Sequence, residues 1–86
     1  MAYRIEYMPA ATRALRRLDK TIQRRIVARI EHLSGNPRPF GAVKLSGHDT
    51  FRIRIGDYRV IYAIVDERMV VLVVETGNRR EVYRGW

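Results

Sequence analysis

The sequence predicts an α+β fold in which two helices cover one face of a small antiparallel sheet. The first half of the chain repeats apolar residues at helical spacing, and the second half alternates apolar with polar residues. The period changes after a glycine- and proline-rich loop at 35–39. With 86 residues, 47% of them hydrophobic, the chain is long enough for one packed domain over 1–86 and too short for two.

The N-terminal half predicts a short strand followed by an αα-hairpin. Residues 3–7 alternate, and Pro9 suits the first turn of a helix because its missing N–H has no partner there. Asp19 is expected to cap a second helix, which ends at the loop 35–39. The two apolar stripes are Ala11, Ala14, Leu15 and Leu18, then Ile22, Ile26, Ile30 and Leu33.

The C-terminal half predicts a three-stranded antiparallel meander. Apolar residues alternate with arginines over 51–55, and Gly56-Asp57 has the composition of a two-residue hairpin turn. The return strand is expected over 58–65, a second turn at 66–68, and a valine-rich strand over 69–76. The N-terminal strand is expected to join the same sheet, with the helices packed on one face.

The two-residue turn fixes the register of the first hairpin and places like charges opposite each other. Arg54 is expected to face Arg59, with Arg52 on the same face and the apolar residues toward the helices. Like charges directly opposite each other destabilise a sheet, and a bound polyanion would reverse that effect. The alternative is that Glu75 or Asp57 neutralises the cluster, or that the side chains spread into solvent.

The register of the third strand depends on the second turn. A three-residue loop, which we favour, places Arg59 opposite Glu75, whereas a two-residue loop places Thr76 there. In the favoured register the odd positions up to Arg79 lie on the same face as Arg59.

The charge of the chain indicates a polyanionic partner. There are 17 basic and 9 acidic residues, the net charge is +8, and 15 of the basic residues are arginine. The guanidinium group matches phosphate oxygens bidentately, so nucleic acid is the leading partner and an acidic protein is the alternative.

Several classes of protein are excluded or disfavoured by what the sequence lacks. Without cysteine there is no disulfide, zinc-thiolate site or cysteine nucleophile. No apolar run approaches the ~18 residues of a membrane span and no signal peptide is evident, so we expect a cytoplasmic protein without a membrane partner. His32 and His48 match no metal-ligand spacing, so no metal or other cofactor is expected.

Three segments of the sequence resemble the RelE/ParE toxin superfamily, and its RelE branch more than its ParE branch. They are Leu-Ser-Gly at 45–47, Phe-Arg-Ile-Arg-Ile-Gly-Asp-Tyr-Arg-Val-Ile-Tyr at 51–62, and Gly-Asn-Arg-Arg-Glu-Val-Tyr at 77–83. The helical half also fits, through Leu-Arg-Arg-Leu at 15–18 and Asn-Pro at 36–37. The resemblance covers essentially the whole chain and implies a single RelE-like toxin domain over 1–86.

The resemblance implies a toxin of a type II toxin–antitoxin system that cuts mRNA on the ribosome. Such toxins need no metal, and the RNA 2′-OH attacks the adjacent phosphodiester. The implied partners are the ribosome and mRNA, an acidic, partly disordered, RelB-like antitoxin, and operator DNA bound through the toxin–antitoxin complex. Two alternatives stay open: a ParE-like inhibitor of DNA gyrase, and a catalytically idle module that binds antitoxin and operator.

The resemblance also implies which residues act. The catalytic candidates are Arg52, Arg54, Arg59, Arg79 and Tyr83. Separately from the family motif, the positive charge of the helix faces and of Lys44 makes these residues the candidates for binding RNA and the ribosome: Arg13, Arg16, Arg17, Arg24, Arg25, Arg29 and Lys44. The best-known RelE pattern has lysines where this chain has Arg52 and Arg54, and many relatives have histidine where it has Asn78. Arginine stays charged and asparagine transfers no proton, so Tyr83 becomes the main candidate for proton transfer.

Overall fold

The computed structural model describes residues 2–45 and 49–78, and its α+β architecture confirms the predicted fold class. Within these ranges the elements are β1 Arg4–Tyr7, α1 Pro9–Arg16, α2 Lys20–His32, β2 Val43–Leu45, β3 Thr50–Ile55, β4 Tyr58–Val65 and β5 Val70–Asn78. The sheet order is β1-β5-β4-β3-β2. β1 runs parallel to β5, and the other neighbours are antiparallel.

The two helices begin where the sequence predicts. Pro9 occupies the first turn of α1, and Asp19 occupies the N-cap position of α2. The prediction that Asp19 caps the helix through its side chain is wrong, because this side chain makes no capping hydrogen bond. The Gln23 side-chain amide instead donates a hydrogen bond of 2.8 Å to the Leu18 carbonyl, which ties the helix to the preceding connection.

The core lies between the helices and one face of the sheet. Its helical residues are Ala11, Leu15, Ile26, Ile30 and Leu33, and its main sheet residues are Phe51, Ile53, Ile55, Val60, Tyr62, Val71 and Val73. Leu18 and Ile22 pack against this core, so the predicted apolar stripes are confirmed except at Ala14, which lies outside the cluster. Tyr62 is fully buried, and its hydroxyl donates a hydrogen bond of 2.8 Å to the Pro37 carbonyl. Burial raises the pKa of Tyr62 to about 12.

The first hairpin has the predicted register. Arg54 pairs with Arg59 and Ile55 with Tyr58 across the Gly56-Asp57 turn. Gly56 has φ +61°, whereas Asp57 has a negative φ, so the turn has the signature of type II′, which favours glycine at its first central position.

The predicted register of the last hairpin is wrong in both of its alternatives. The connection is a 3-10 turn at Asp66–Arg68 followed by Met69 in the left-handed region, so Val65 pairs with Val70. A bulge between Ile61 and Tyr62 then moves the register by one more residue. Arg59 consequently pairs with Gly77, and Ile61 pairs with Glu75.

The bulge also changes which residues of β5 face the helices. Before it, the odd residues Val71 and Val73 belong to the core. After it, Glu75 and Gly77 share the face of Ile61 and Arg59, their register partners. The expectation that odd positions join Arg59 is therefore correct only for this last part of the strand.

The three-residue strand β2 was not predicted. It pairs antiparallel with β3 and forms one edge of the sheet, with Val43 opposite Arg52. None of the helices in the described ranges is long and apolar enough to cross a lipid bilayer.

A network around Asp66 holds together the end of the sheet away from the β3–β4 turn. Arg38 donates to both Asp66 carboxylate oxygens, at 3.3 and 2.9 Å, and the Tyr3 hydroxyl donates to one of them at 2.7 Å. The hydrogen bond from Arg38, followed by that from Tyr3, lowers the pKa of Asp66. The network joins the N-terminus, the α2–β2 loop and the β4–β5 connection.

This network makes stability depend on acid. Because the pKa of Asp66 is lower in the folded chain, its contribution is present above the unfolded pKa and is lost as the pH falls below about 4. We expect Asp66→Asn to reduce this acid-dependent loss, measured as the difference between urea midpoints at neutral and acidic pH. The effect is small because the Asp66 side chain is 48% exposed. Glu67→Gln, at the exposed neighbouring residue, is the control and should leave the difference unchanged.

Candidate functional site

The sheet face opposite the helices carries three arginines, and we call it the arginine face: Arg52, Arg54 and Arg59. The alternation of β3 sends Ile53 and Ile55 into the core and the two arginines of this strand to the other side. Arg59 on β4 joins them because it pairs directly with Arg54. The tight turn thus brings together three of the five predicted catalytic residues.

The three arginines differ in exposure. Arg54 is exposed, Arg52 is partly buried, and Arg59 has a relative exposure of only 9%. The Nε atoms of Arg52 and Arg59 are both buried. The alternative that the side chains spread into solvent therefore holds only for Arg54. The face therefore combines the positive group of Arg59, whose position is restricted by burial, with that of Arg54, which is accessible to solvent.

Acidic side chains do not neutralise Arg54 within the described part of the chain. Arg54 and Asp57 take part in no ion pair there. Glu75 also lies on the arginine face. Its register partner is Ile61, which lies between Glu75 on β5 and Arg52 on β3. Ile61 is fully buried on this face, outside the main core cluster.

The predicted RNA- and ribosome-binding residues form a second group, on the other side of the sheet. All are exposed, six of them in or next to the helices and one on β2: Arg13, Arg16, Arg17, Arg24, Arg25, Arg29 and Lys44. Lys44 pairs with Phe51, a core residue, and so lies on the helix side. The structure therefore separates these residues from the arginine face by the thickness of the sheet.

Arg25 connects the two groups at the β3–β4 turn. Its guanidinium lies over Gly56, where an added Cβ atom would come within 3.3 Å of Nη2. A side chain at position 56 would thus crowd Arg25 as well as strain the backbone at φ +61°. The sequence pattern placed Arg25 on a helix surface and gave no sign of this contact.

A cleft on the helix side of the sheet was also missed. Its volume is about 230 Å³, with Ala14 and Leu18 forming one wall and Thr76 on the strand side. The polar side chains lining it belong to Arg17, Tyr58 and Asn78. The sequence of each helix or strand taken separately does not indicate this cleft, because the cleft exists only where the end of α1 meets β4 and β5.

The remaining two catalytic candidates, Arg79 and Tyr83, lie outside the described residues. Their assignment rests on the sequence motif at 77–83.

Comparison with known proteins identifies the family. The model of the ParE toxin of the type II toxin–antitoxin system, parDE, matches residues 5–83. The mRNA interferase toxin RelE of Escherichia coli K12 is 32% identical over 88 residues, covering 96% of this chain and 92% of RelE. Toxin RelG of Mycobacterium tuberculosis is also 32% identical, over 98% of this chain and 99% of its own length.

A solved structure gives the same result at the level of the fold. The archaeal RelE–RelB complex from Pyrococcus horikoshii contains a chain that superposes with a TM-score of 0.83 at 32% identity, covering 94% of this chain and 99% of that one. The strand pairing, the helical layer and the sequence agree in one assignment: the chain belongs to the RelE/ParE superfamily of type II toxin–antitoxin toxins and is RelE-like.

Proposed function

We propose that this toxin is a ribosome-dependent, metal-independent endoribonuclease that cuts mRNA and so inhibits translation. The observation that carries the proposal is the direct pairing of Arg54 with Arg59 on the arginine face. Two like charges directly opposite each other destabilise the sheet, and a phosphate bound between them would turn this repulsion into attraction. The mRNA interferase name of the E. coli relative supports the same activity.

The proposed reaction is a transesterification within the RNA. The 2′-oxygen attacks the adjacent phosphorus, the bond from phosphorus to the 5′-oxygen breaks, and the products end in a 2′,3′-cyclic phosphate and a 5′-hydroxyl. A base removes the 2′ proton, and an acid supplies a proton to the departing 5′-oxygen. Arg52, Arg54 and Arg59 stabilise the negative charge that builds up on the phosphorane oxygens.

The proton-transfer steps need a group other than these arginines. Arginine keeps its proton at every accessible pH, so the arginine face supplies charge and orientation only. Tyr83 is the proposed partner in proton transfer, and its aromatic ring is also suited to stacking on a base. Arg79 supplies a further positive group to the phosphate.

The proposed partners follow from charge. The exposed arginines of the helical layer, with Lys44, hold ribosomal RNA through its phosphates. The antitoxin is an acidic, partly disordered, RelB-like protein that folds on binding and covers apolar surface and part of the basic surface. The P. horikoshii relative is solved in complex with RelB. The toxin–antitoxin complex in turn binds operator DNA, and all of these encounters take place in the cytoplasm.

Induced expression without antitoxin tests the proposed function. Growth should stop because translation fails, so pulse labelling should show protein synthesis falling first. Mapping of transcript 5′ ends should reveal new ends inside reading frames that are being translated. Intact transcripts together with normal protein synthesis would refute the proposal.

Inhibition of DNA gyrase is the second candidate function, favoured by the match to the ParE toxin model. It predicts the opposite order of events: DNA replication stops while protein synthesis continues. A supercoiling assay with purified gyrase separates it from a catalytically idle module, which would inhibit neither process.

A further inference from the structure

The cleft between α1 and the strands lies on the helix side, near the β3–β4 turn. Its volume of about 230 Å³ is below the ~300–1,000 Å³ typical of sites for drug-sized ligands. A space of this size accepts one planar ring rather than a whole cofactor.

The walls of the cleft are held by the fold itself. The Thr76 hydroxyl is buried and donates a hydrogen bond of 3.1 Å to the Ala11 carbonyl of α1, which fixes the helix against β5. Ala14 and Leu18 follow on the same side of this helical segment and supply the apolar wall. The cleft is therefore preformed, and a ligand pays little to enter it.

The polar lining has the chemistry of a nucleotide site. Tyr58 is partly buried against the core, and in the described ranges its hydroxyl makes no hydrogen bond. Arg17 is exposed and takes part in no ion pair there. Asn78 pairs with Tyr58 across the sheet and so lies on the same face. An aromatic ring for stacking, a guanidinium for phosphate and an amide for a base edge are the groups that bind unpaired nucleotides.

The cleft adjoins the arginine face through one residue of β5. Gly77 lines the cleft and is also the register partner of Arg59. Around the end of the sheet, Arg25 lies over Gly56 in the turn between the two sites. Two positive side chains of the helical layer, Arg25 at the turn and Arg17 at the cleft, therefore lie near the end of the sheet that carries the Arg54–Arg59 pair.

We propose that this cleft holds one unpaired base of the RNA substrate, from a nucleotide near the phosphate bound at the arginine face. Tyr58 stacks on the base, Asn78 contacts its edge, and Arg17 holds the adjoining phosphate. The inference rests on the proposed endoribonuclease function and adds to it a subsite that sets sequence preference.

Filling the cleft tests the inference. Ala14→Leu places a larger side chain in the cleft and keeps a good helix former. Ala10→Leu, one turn earlier on the same helix and exposed, is the matched control. On ribosomes carrying mRNA with all four bases at each position around the cut, Ala14→Leu should raise KM about tenfold and weaken the preference among the four bases at one position, because the filled cleft no longer holds a base. Ala10→Leu should retain the unmodified chain's KM and preference.

The binding measurement uses the free toxin and the four nucleoside monophosphates. We expect the Tyr58 ring signals in NMR spectra to shift with at least one nucleotide, and this shift to disappear in Ala14→Leu. Asn78→Ala should change the order of preference among the four. Thermal unfolding of each variant shows whether the fold is retained.

The outcomes separate the subsite from the nuclease function. If the unmodified toxin cuts mRNA and Ala14→Leu matches Ala10→Leu in KM and preference, the subsite is wrong and the nuclease function stands. If the unmodified toxin cuts no mRNA, the nuclease function fails. A nucleotide-induced shift of the Tyr58 signals that disappears in Ala14→Leu and persists in Ala10→Leu would then still support a base site. Absence of any shift overturns it. Reduced antitoxin affinity of Ala14→Leu with unchanged cleavage assigns the cleft to the antitoxin and also overturns it.

Discussion

Arg59→Ala is expected to slow mRNA cleavage about 10²- to 10³-fold, the usual cost of losing one donor that stabilises transition-state charge. Arg59 pairs directly with Arg54 and is nearly buried, so its guanidinium is held where the phosphate is proposed to bind. Single-turnover cleavage of ribosome-bound mRNA measures the chemical step, and growth after induction measures toxicity.

The matched controls separate chemistry from folding and from general RNA affinity. Arg24→Ala removes an exposed arginine of α2, so it should weaken binding and lower its salt dependence with little effect on the chemical step. Arg59→Met keeps a long side chain in the buried position without its charge, and therefore limits the packing loss that Arg59→Ala incurs. Equal toxicity of Arg59→Met and Arg24→Ala, at equal soluble abundance, would reject the arginine face as the catalytic site.

Tyr83→Phe is expected to slow the chemical step about 10²- to 10⁴-fold if the hydroxyl transfers a proton. The expectation comes from the sequence, since the arginines supply charge but no base, and the asparagine side chain of Asn78 transfers no proton. If stacking dominates instead, Tyr83→Phe stays near the unmodified rate, and Tyr83→Ala loses the roughly 1–3 kcal/mol of base–aromatic stacking.

The pH profile of cleavage distinguishes a proton-transfer role from an anchoring one. A general base gives a rate that rises with pH toward its pKa, and Tyr83→Phe should flatten that rise. Unmodified rates for both Tyr83→Phe and Tyr83→Ala would show that Tyr83 takes no part in catalysis. The site would then consist of the arginines alone.

The parts of the fold that the sequence predicted well are those specified by local chemistry. Pro9 positions the start of α1, and glycine at the first position of the turn sets the register of Arg54 against Arg59. The predicted register of the last hairpin was wrong because the register depends on Met69 adopting φ +53°. A methionine in the sequence does not indicate this left-handed conformation. The bulge beside Ile61 moves the register by one further residue, so that Thr76 rather than Glu75 lies opposite the core residue Val60.

The shared face of the three arginines was predictable from the sequence, and their burial was not. Alternation along β3 and the two-residue turn together identified Arg52, Arg54 and Arg59 as sharing a face. Burial of Arg59 depends on what surrounds it in three dimensions, so no pattern along β4 reports it. The contact of Arg25 with the turn depends in the same way on the packing of α2 beside the hairpin.

The parallel pairing of β1 with β5 determines when this toxin can finish folding during its own synthesis. The first strand finds its only neighbour in the described sheet in the last one, and Tyr3 reaches an aspartate 63 positions further along the chain. Contacts at such separation raise the contact order and slow folding. A nascent chain that has not yet released β5 from the exit tunnel lacks the partner for β1 and the strand beside Arg59. The five-stranded sheet therefore closes only after β5 has left the tunnel, which leaves time for antitoxin already present to meet the toxin as it folds.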